Sequence, residues 1–328
     1  MTTSTSTLQD PPTGGSPSPD ARTTGDSSSP RAPATDVHQH VWPPALVQAL
    51  RDRRRPPRLR GWTLELDGEP DHAIDPADHD PAARAELARA DAAEQVLVSL
   101  SSPLGIESLP APESRELLAA WHEGALALPA PLHAWASASL SELDPADLER
   151  RLSEGFVGLQ LPATALLHRA DYDRVAPLLE LLARTGRPLF VHPGPAPAAS
   201  ATAPPWWPAL VDYVAQMHAA WFAFRIHGRP VHPRLRVVFA MLAGLAPVHG
   251  ERFAARAGER TVVDRDAFLE TSSYGPRAID AVVRVTGVDV LVHGSDRPYA
   301  PPPDHGLGAA ADAALRRTNP RRLLEEVS

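Results

Sequence analysis

Eight short apolar segments, separated by stretches with helical spacing, constrain the fold of this 328-residue chain more than any other feature. Several are nearly continuous apolar runs, which is typical of parallel strands covered on both faces. The eight segments are Val37–Trp42, Gln95–Ser101, Leu132–Ser137, Phe156–Leu161, Pro188–His192, Leu235–Met241, Phe268–Ser272 and Val288–Gly294.

Helical patterns lie between these segments, and the first has Asp80 placed as its N-cap. The alternation of strand and helix predicts a parallel sheet, and eight repeats predict a closed (β/α)8, TIM-like barrel. The predicted helices are Pro81–Ala93, Glu113–Leu128, Asp144–Ser153, Tyr172–Arg184, Pro208–Phe224, Pro247–Ala257, Pro276–Val285 and Leu307–Arg317.

The first 35 residues differ in character from the rest of the chain. Residues 1–35 are rich in Thr, Ser, Pro and Gly and have almost no large apolar side chains, so they predict a disordered tail. Residues 36–328 are then the barrel domain. The arginine-rich cluster Arg51–Arg60 is interpreted as a solvated loop, with an anion contact as the alternative.

Two insertions follow predicted strands at the ends where barrel enzymes place their active-site loops. They are residues 43–80 and residues 193–210, and the second carries Trp206 and Trp207. These tryptophans either wall a substrate pocket or cover an edge of the core or an interface.

Composition excludes several kinds of chemistry. The chain has no cysteine and no lysine, so disulfides, thiolate zinc sites, Schiff bases and bridging carbamylated lysines are excluded. A net charge of -8 and a pI of about 5.9 give no sign of nucleic-acid binding. No signal peptide and no long apolar stretch is seen, so we expect a cytoplasmic protein with no membrane partner.

The motif Asp36-Val37-His38-Gln39-His40 is the strongest local signal of chemistry. Residues two apart on a strand point to the same side, so His38 and His40 would both face the barrel interior. Two imidazoles on the same side of one short strand can both bind one metal ion.

Two further polar groups follow apolar strands. His192 ends the segment Pro188–His192 before a Pro-Gly turn, and Asp296 follows the segment Val288–Gly294. A barrel brings such strand ends together, and a buried carboxylate needs a cation. We therefore predict that His38, His40, His192 and Asp296 hold one divalent metal ion, with Zn²⁺ expected; His293 is interpreted as structural.

These residues resemble a known family. The HxH motif, the Val-His-Pro-Gly segment ending at Gly194, the Gly-Ser-Asp-x-Pro segment Gly294–Pro298 and the closing Asn319–Leu324 are together similar to the amidohydrolase superfamily. More narrowly they are similar to the amidohydrolase-2 group, which includes aminocarboxymuconate semialdehyde decarboxylase. The resemblance covers roughly residue 36 to the end. It implies a distorted barrel with a single metal ion, and a homodimer by analogy.

One position departs from the family pattern. Met241 stands where the family has a histidine after strand six, so the usual proton-transfer group is missing. His249 is the candidate catalytic replacement. Arg252, at the place of a family arginine that holds a substrate carboxylate, and Arg297, next to Asp296, are the candidate substrate-binding residues.

Three functions follow from this pattern. The first is a metal-dependent hydrolase acting on a small carboxylated substrate through a metal-activated water, with Asp296 as the catalytic proton acceptor. The second is a non-oxidative decarboxylase of the same family. The third is a degenerate, non-catalytic barrel, because Met241 cannot shuttle a proton.

Overall fold

The structure, a computed structural model, describes residues 33–67, 69–197, 203–259 and 262–325. Its strands are β1 (Thr35–Gln39), β2 (Arg58–Arg60), β3 (Thr63–Glu65), β4 (His72–Ala73), β5 (Gln95–Val98), β6 (Leu132–Ala134), β7 (Leu159–Pro162), β8 (Leu189–His192), β9 (Val237–Phe239), β10 (Ala267–Glu270) and β11 (Leu291–Val292). Its α-helices are α1 (Pro44–Asp52), α2 (Pro81–Ala90), α3 (Ala111–Leu126), α4 (Pro145–Glu154), α5 (Arg169–Thr185), α6 (Tyr213–Ala223), α7 (Gly250–Ala257), α8 (Pro276–Thr286), α9 (Ala309–Ala313) and α10 (Asn319–Leu324).

Eight parallel strands line the barrel. Strands β1, β5 and β6 pair in that order, and β7 to β11 pair in chain order. The two runs meet where Ala136 donates to Gly158 O (2.9 Å) and accepts from Gln160 N (2.8 Å).

The last strand returns to the first, which closes the ring. Asp296 N donates to His38 O (2.9 Å), and His40 N donates to Arg297 O (2.7 Å). The seam between the two ends of the barrel therefore runs through predicted site residues.

The eight predicted strand segments each overlap one barrel strand, so the predicted α/β barrel is confirmed. Apolar runs determine these strands because both of their faces are covered: Phe190, Phe239 and Phe268 are fully buried. The predicted cap at Asp80 is also confirmed, since its carboxylate accepts from Ala82 N and Ala83 N.

The first insertion is more ordered than predicted. The solvated-loop interpretation of Arg51–Arg60 holds for residues 53–57, where Arg54 and Arg55 are exposed, but not for the two ends, which finish α1 and supply β2 of a small antiparallel sheet, β2–β3–β4. Arg58 Nε pairs with Glu65 Oε2 (2.6 Å) across that sheet, and Arg53 Nη2 pairs with Glu113 Oε2 (2.9 Å) of α3. Helix α1 lies against α3, where a Cβ on Gly124 would come within 2.3 Å of Pro43 Cβ.

The described residues all belong to one compact unit, Ala32–Ser328. The predicted tail, residues 1–35, lies outside the described residues except for its last three, and Thr35 already belongs to β1. Among the helices of the described ranges, none has the length and apolar character needed to cross a bilayer.

Candidate metal centre

His38 and His40 turn their Nε2 atoms toward each other at the C-terminal end of β1. The two nitrogens are 3.0 Å apart. His38 Nδ1 contacts Glu270 Oε2 (3.1 Å), and His40 Nδ1 contacts the Ser99 carbonyl (3.0 Å). An oxygen acceptor at Nδ1 favours the tautomer that leaves a lone pair on Nε2, the form that binds metal.

His192 and Asp296 complete the cluster. His192 ends β8, and its Nδ1 contacts the Pro193 carbonyl (2.9 Å), so the same reasoning leaves its Nε2 as an acceptor. Asp296 Oδ1 lies 3.2 Å from His40 Nε2 and 3.4 Å from His38 Nε2. One ligand atom from each of these four residues lies within 4.8 Å of the others.

The separations among the donor atoms of His38, His40 and Asp296 fit a single divalent ion. Donor atoms about 2.1 Å from one ion lie about 2.9–3.4 Å from one another, which matches the 3.0, 3.2 and 3.4 Å separations. The three imidazoles are buried and the Asp296 side chain is 16% exposed, so the cluster opens to solvent on the carboxylate side. Asp296 has a left-handed backbone (φ 58°), a conformation in which Asp is enriched and which is often found at functional sites.

The protonation states agree with this donor set. Burial lowers the pKa of His40, and burial together with His38 and His40 lowers the pKa of His192 well below its ordinary value. Burial opposes ionisation of Asp296, but His38 and His40 outweigh it and lower the pKa of this carboxyl. Burial also opposes protonation of His38, yet Asp296 and Glu270 raise its pKa. The cluster thus attracts positive charge, which a cation or a proton can supply.

The sequence did not single out Glu270, the last residue of β10. Its carboxylate is fully buried and contacts His38 Nδ1 (3.1 Å), Ser272 Oγ (2.8 Å) and Met241 N (3.2 Å), as well as Ser272 N. The available signal was a carboxylate in the middle of the predicted strand segment Phe268–Ser272, where a buried charge needs a partner.

Met241 begins an unusual turn after β9. Residues 241–245 all have positive φ, between 48° and 61°, and only Gly244 among them lacks a side chain. A left-handed conformation costs roughly 1–2 kcal/mol for each non-glycine residue, so the surrounding structure must hold this turn. The turn packs against α6, where a Cβ on Gly244 would meet Val214 O at 2.5 Å.

The side chains of the other residues singled out in the sequence do not contact the four-residue cluster. His249 is exposed, and its described ring contact is with His218 (5.0 Å). Arg252 is exposed on α7, and the Arg297 side chain pairs with Asp91 Oδ2 (2.8 Å). His293 is buried and contacts His305 Nε2 (3.2 Å), in keeping with a structural role. Within the described ranges these four side chains have no contact with the four-residue cluster; Arg297 reaches it through its backbone alone, whose carbonyl accepts from His40 N (2.7 Å).

Aromatic residues near the mouth fall into two groups. Tyr299, which the sequence did not single out, lies with its ring 5.3 Å from that of His40 while half of the residue is exposed. Trp206 and Trp207, 54% and 40% exposed, contact each other with ring centres 6.0 Å apart. Tyr299 therefore borders the four-residue cluster on its exposed side, while the fully buried Phe190 borders it from the core, with its ring 5.0 Å from that of His38.

Comparison with known proteins finds solved structures of similar fold. No protein-family model and no curated protein matches the sequence. Solved structures do match. IDCase from Metarhizium anisopliae matches with a TM-score of 0.73 and 19% identity, over 90% of this chain and 97% of that one. A protein described as amidohydrolase II matches with a TM-score of 0.70 and 18% identity, over 89% and 99% of the two chains.

A third structure carries ligands. It is a variant 5-carboxyvanillate decarboxylase from Novosphingobium aromaticivorans with bound manganese and 3-methoxy-4-hydroxy-5-nitrobenzoic acid. It matches with a TM-score of 0.68 and 14% identity, over 89% of this chain and 97% of that one. The chain thus shares the fold of these three solved structures over about nine tenths of its length.

Proposed function

We propose that this protein is a metal-dependent carboxy-lyase that removes CO2 from a small carboxylated substrate. The four-residue cluster of His38, His40, His192 and Asp296 at the barrel mouth carries the proposal. The fold is also that of a decarboxylase crystallised with manganese and an aromatic acid. This moves decarboxylation ahead of hydrolysis, which the sequence alone favoured.

The ion itself is part of the proposal. Three imidazoles and one carboxylate suit Zn²⁺, and Mn²⁺ is the second candidate because it is bound in the decarboxylase of similar fold. A divalent cation held by these four residues would supply a Lewis acid that polarises an oxygen of the substrate.

Asp296 is the residue to which we assign proton transfer. When the bond to the carboxylate breaks, CO2 leaves and its bonding electron pair stays on the substrate carbon, which must then take a proton. Asp296 is the one carboxylate of the cluster and is 16% exposed, so it lies on the side that a substrate reaches. Its role is to take that proton from solvent on its exposed side and deliver it to the carbon, which leaves Asp296 ionised again.

We assign no arginine to the substrate carboxylate. Arg297 is engaged by Asp91, and Arg252 lies exposed on α7. Tyr299, beside His40 and half exposed, is the residue we place against the body of the substrate.

Hydrolysis of a lactone, ester or amide remains a second candidate, favoured by one observation. Met241 cannot transfer a proton, and hydrolysis needs only the cation and one carboxylate base. In that reaction Asp296 would take a proton from the attacking water and pass it to the leaving group. A non-catalytic barrel is the third outcome that the experiment must distinguish.

The test compares metal-free protein with protein reloaded with Zn²⁺ or Mn²⁺. CO2 release is measured from hydroxybenzoates and unsaturated dicarboxylates, and hydrolysis from lactones and esters. Asp296→Asn is expected to lower kcat by about 100-fold or more. Asp289→Asn is the matched control, because Asp289 is exposed and precedes β11 at the opposite end of the barrel.

Each outcome decides between the candidates. Metal-dependent CO2 release that requires Asp296 supports the carboxy-lyase, whereas metal-dependent hydrolysis alone replaces it with the hydrolase. No turnover in the natural chain, with activity gained in Met241→His, would instead identify a degenerate barrel.

A further inference from the structure

The fully buried carboxylate of Glu270 joins the ends of several barrel strands. It accepts hydrogen bonds from the backbone N–H of Ser272 and of Met241, and from the Ser272 hydroxyl. His38 Nδ1 is its fourth partner, at 3.1 Å. Two of these partners are backbone amides, which can only donate, so the carboxyl group must act as an acceptor at both oxygens.

This arrangement determines which nitrogen of His38 carries a proton. Because Glu270 is engaged as an acceptor, His38 Nδ1 must donate to it, and the lone pair of the neutral ring is left on Nε2. That atom lies 3.0 Å from His40 Nε2 and 3.4 Å from Asp296 Oδ1. We propose that Glu270 is the positioning residue of the cation site, which orients His38 and sets its metal-binding tautomer; this rests on the proposed metal site.

The neighbouring strand is adapted to leave room for this carboxylate. A Cβ on Gly294 would lie 2.3 Å from Glu270 Oε1 and 2.5 Å from its Cδ and Cγ. Gly294 also lies two residues before the ligand Asp296. Glycine at this position therefore allows the carboxylate and the Asp296 strand to occupy adjacent space.

The same carboxylate anchors the left-handed turn. Met241 N, at the first residue of the turn, donates to the oxygen that contacts His38. Glu270 thus links the position where the family histidine is absent to the cation site. Since Glu270 is 0% exposed, it touches no substrate, and it acts through His38.

Glu270→Gln tests this role with little change in volume. The NH2 group of the new glutamine must face either Ser272 N–H or the groups that contact Glu270 Oε2. In the second case it would donate to His38 Nδ1, which places the His38 proton on Nε2, where the cation binds. We expect Zn²⁺ affinity, measured by competition with a chromophoric chelator, to fall about 10- to 100-fold. Ser272→Ala is the matched control, since it removes one donor from the same carboxylate and keeps the charge.

The outcomes separate this inference from the proposed function. If the natural chain binds one Zn²⁺ and Glu270→Gln binds it equally well, the positioning role is wrong while the metal site stands. If the natural chain binds no Zn²⁺, the metal site itself fails, and with it this role. A loss of Zn²⁺ affinity in Ser272→Ala as large as in Glu270→Gln would assign the effect to general disruption and overturn the positioning role.

A measurement on the unsubstituted chain covers the case in which Glu270→Gln does not fold. In zinc-loaded protein with ¹⁵N-labelled histidine, His38 is expected to bind the ion through Nε2 and to keep a slowly exchanging proton on Nδ1. Gly294→Ala should weaken Zn²⁺ binding as Glu270→Gln does, because its methyl group displaces the carboxylate. Ligation through Nδ1, or unchanged binding in Gly294→Ala, would overturn the inference.

Discussion

Glu107 offers a test of how a buried carboxyl group affects the stability of this barrel. The residue is 1% exposed, its Oε1 accepts from Ser102 Oγ (2.5 Å) and Ser137 Oγ (3.4 Å), and its Oε2 has no hydrogen-bond partner among the described residues. Burial raises the pKa of Glu107 to about 7, against the opposing effect of the bond from Ser102. The perturbation we choose is Glu107→Gln, which imitates the protonated form at every pH.

The pKa shift gives the magnitude and the sign. From an unfolded value of 4.5 to about 7, the shift corresponds to about 3 kcal/mol in the free energy of unfolding. Between these values the folded protein holds a proton that the unfolded chain has lost, so this contribution to stability is lost as the pH rises through this window. Glu107→Gln should therefore match the natural chain at pH 4.5 and exceed its stability by up to about 3 kcal/mol at pH 8.

Urea unfolding at several pH values between 4.5 and 8 measures this difference. Glu86→Gln is the control, since the Glu86 side chain is 77% exposed and its substitution should change stability by less than about 0.5 kcal/mol. The reasoning is refuted if the difference between Glu107→Gln and the natural chain does not vary with pH, or if the variant is less stable at pH 8.

Three further predictions concern stability. Zinc at 100 times its dissociation constant should add about 2.7 kcal/mol, or roughly 5 °C in Tm, by calorimetry; an identical Tm with zinc and with chelator would contradict the metal site. Gly124→Ala should cost about 1–3 kcal/mol in urea unfolding, because the methyl group meets Pro43, whereas Gly275→Ala, with nothing within 4 Å, should cost much less. Tyr172→Phe should be neutral or stabilising by up to about 1 kcal/mol, since the buried Tyr172 hydroxyl has no partner in the described part of the chain; a clear loss in Tm would show a hidden partner.

The sequence predicted the barrel well because its strands are buried on both faces and therefore stand out as apolar runs. Strands that are only partly buried have no such apolar run. In the sheet β2–β3–β4, β2 and β4 are three and two residues long and carry Arg58, Arg60 and His72, so the sequence does not predict this sheet. Helix α10, Asn319–Leu324, was likewise noted only as a motif.

The site was predictable to the extent that strand ends determine it. His38, His40, His192 and Asp296 come together because each ends or follows a barrel strand. Arg252 was chosen by its distance along the chain from Met241, and His249 by its place at the start of the next predicted helix. The left-handed turn at residues 241–245 changes the direction of the chain between Met241 and both residues, which neither criterion takes into account. The residues of this turn are ordinary apolar residues, so their sequence does not predict a left-handed conformation.

The cluster lies across the seam between β1 and the segment after β11, so it is complete only when both ends of the barrel are in place. His38 is among the first described residues, whereas Asp296 comes close to the C-terminus, and their backbones hydrogen-bond directly. A nascent or truncated chain that lacks the final strand would hold three imidazoles without the carboxylate. Any ligand that binds both His38 and Asp296 would hold the two ends of the barrel together, so its loss should speed unfolding.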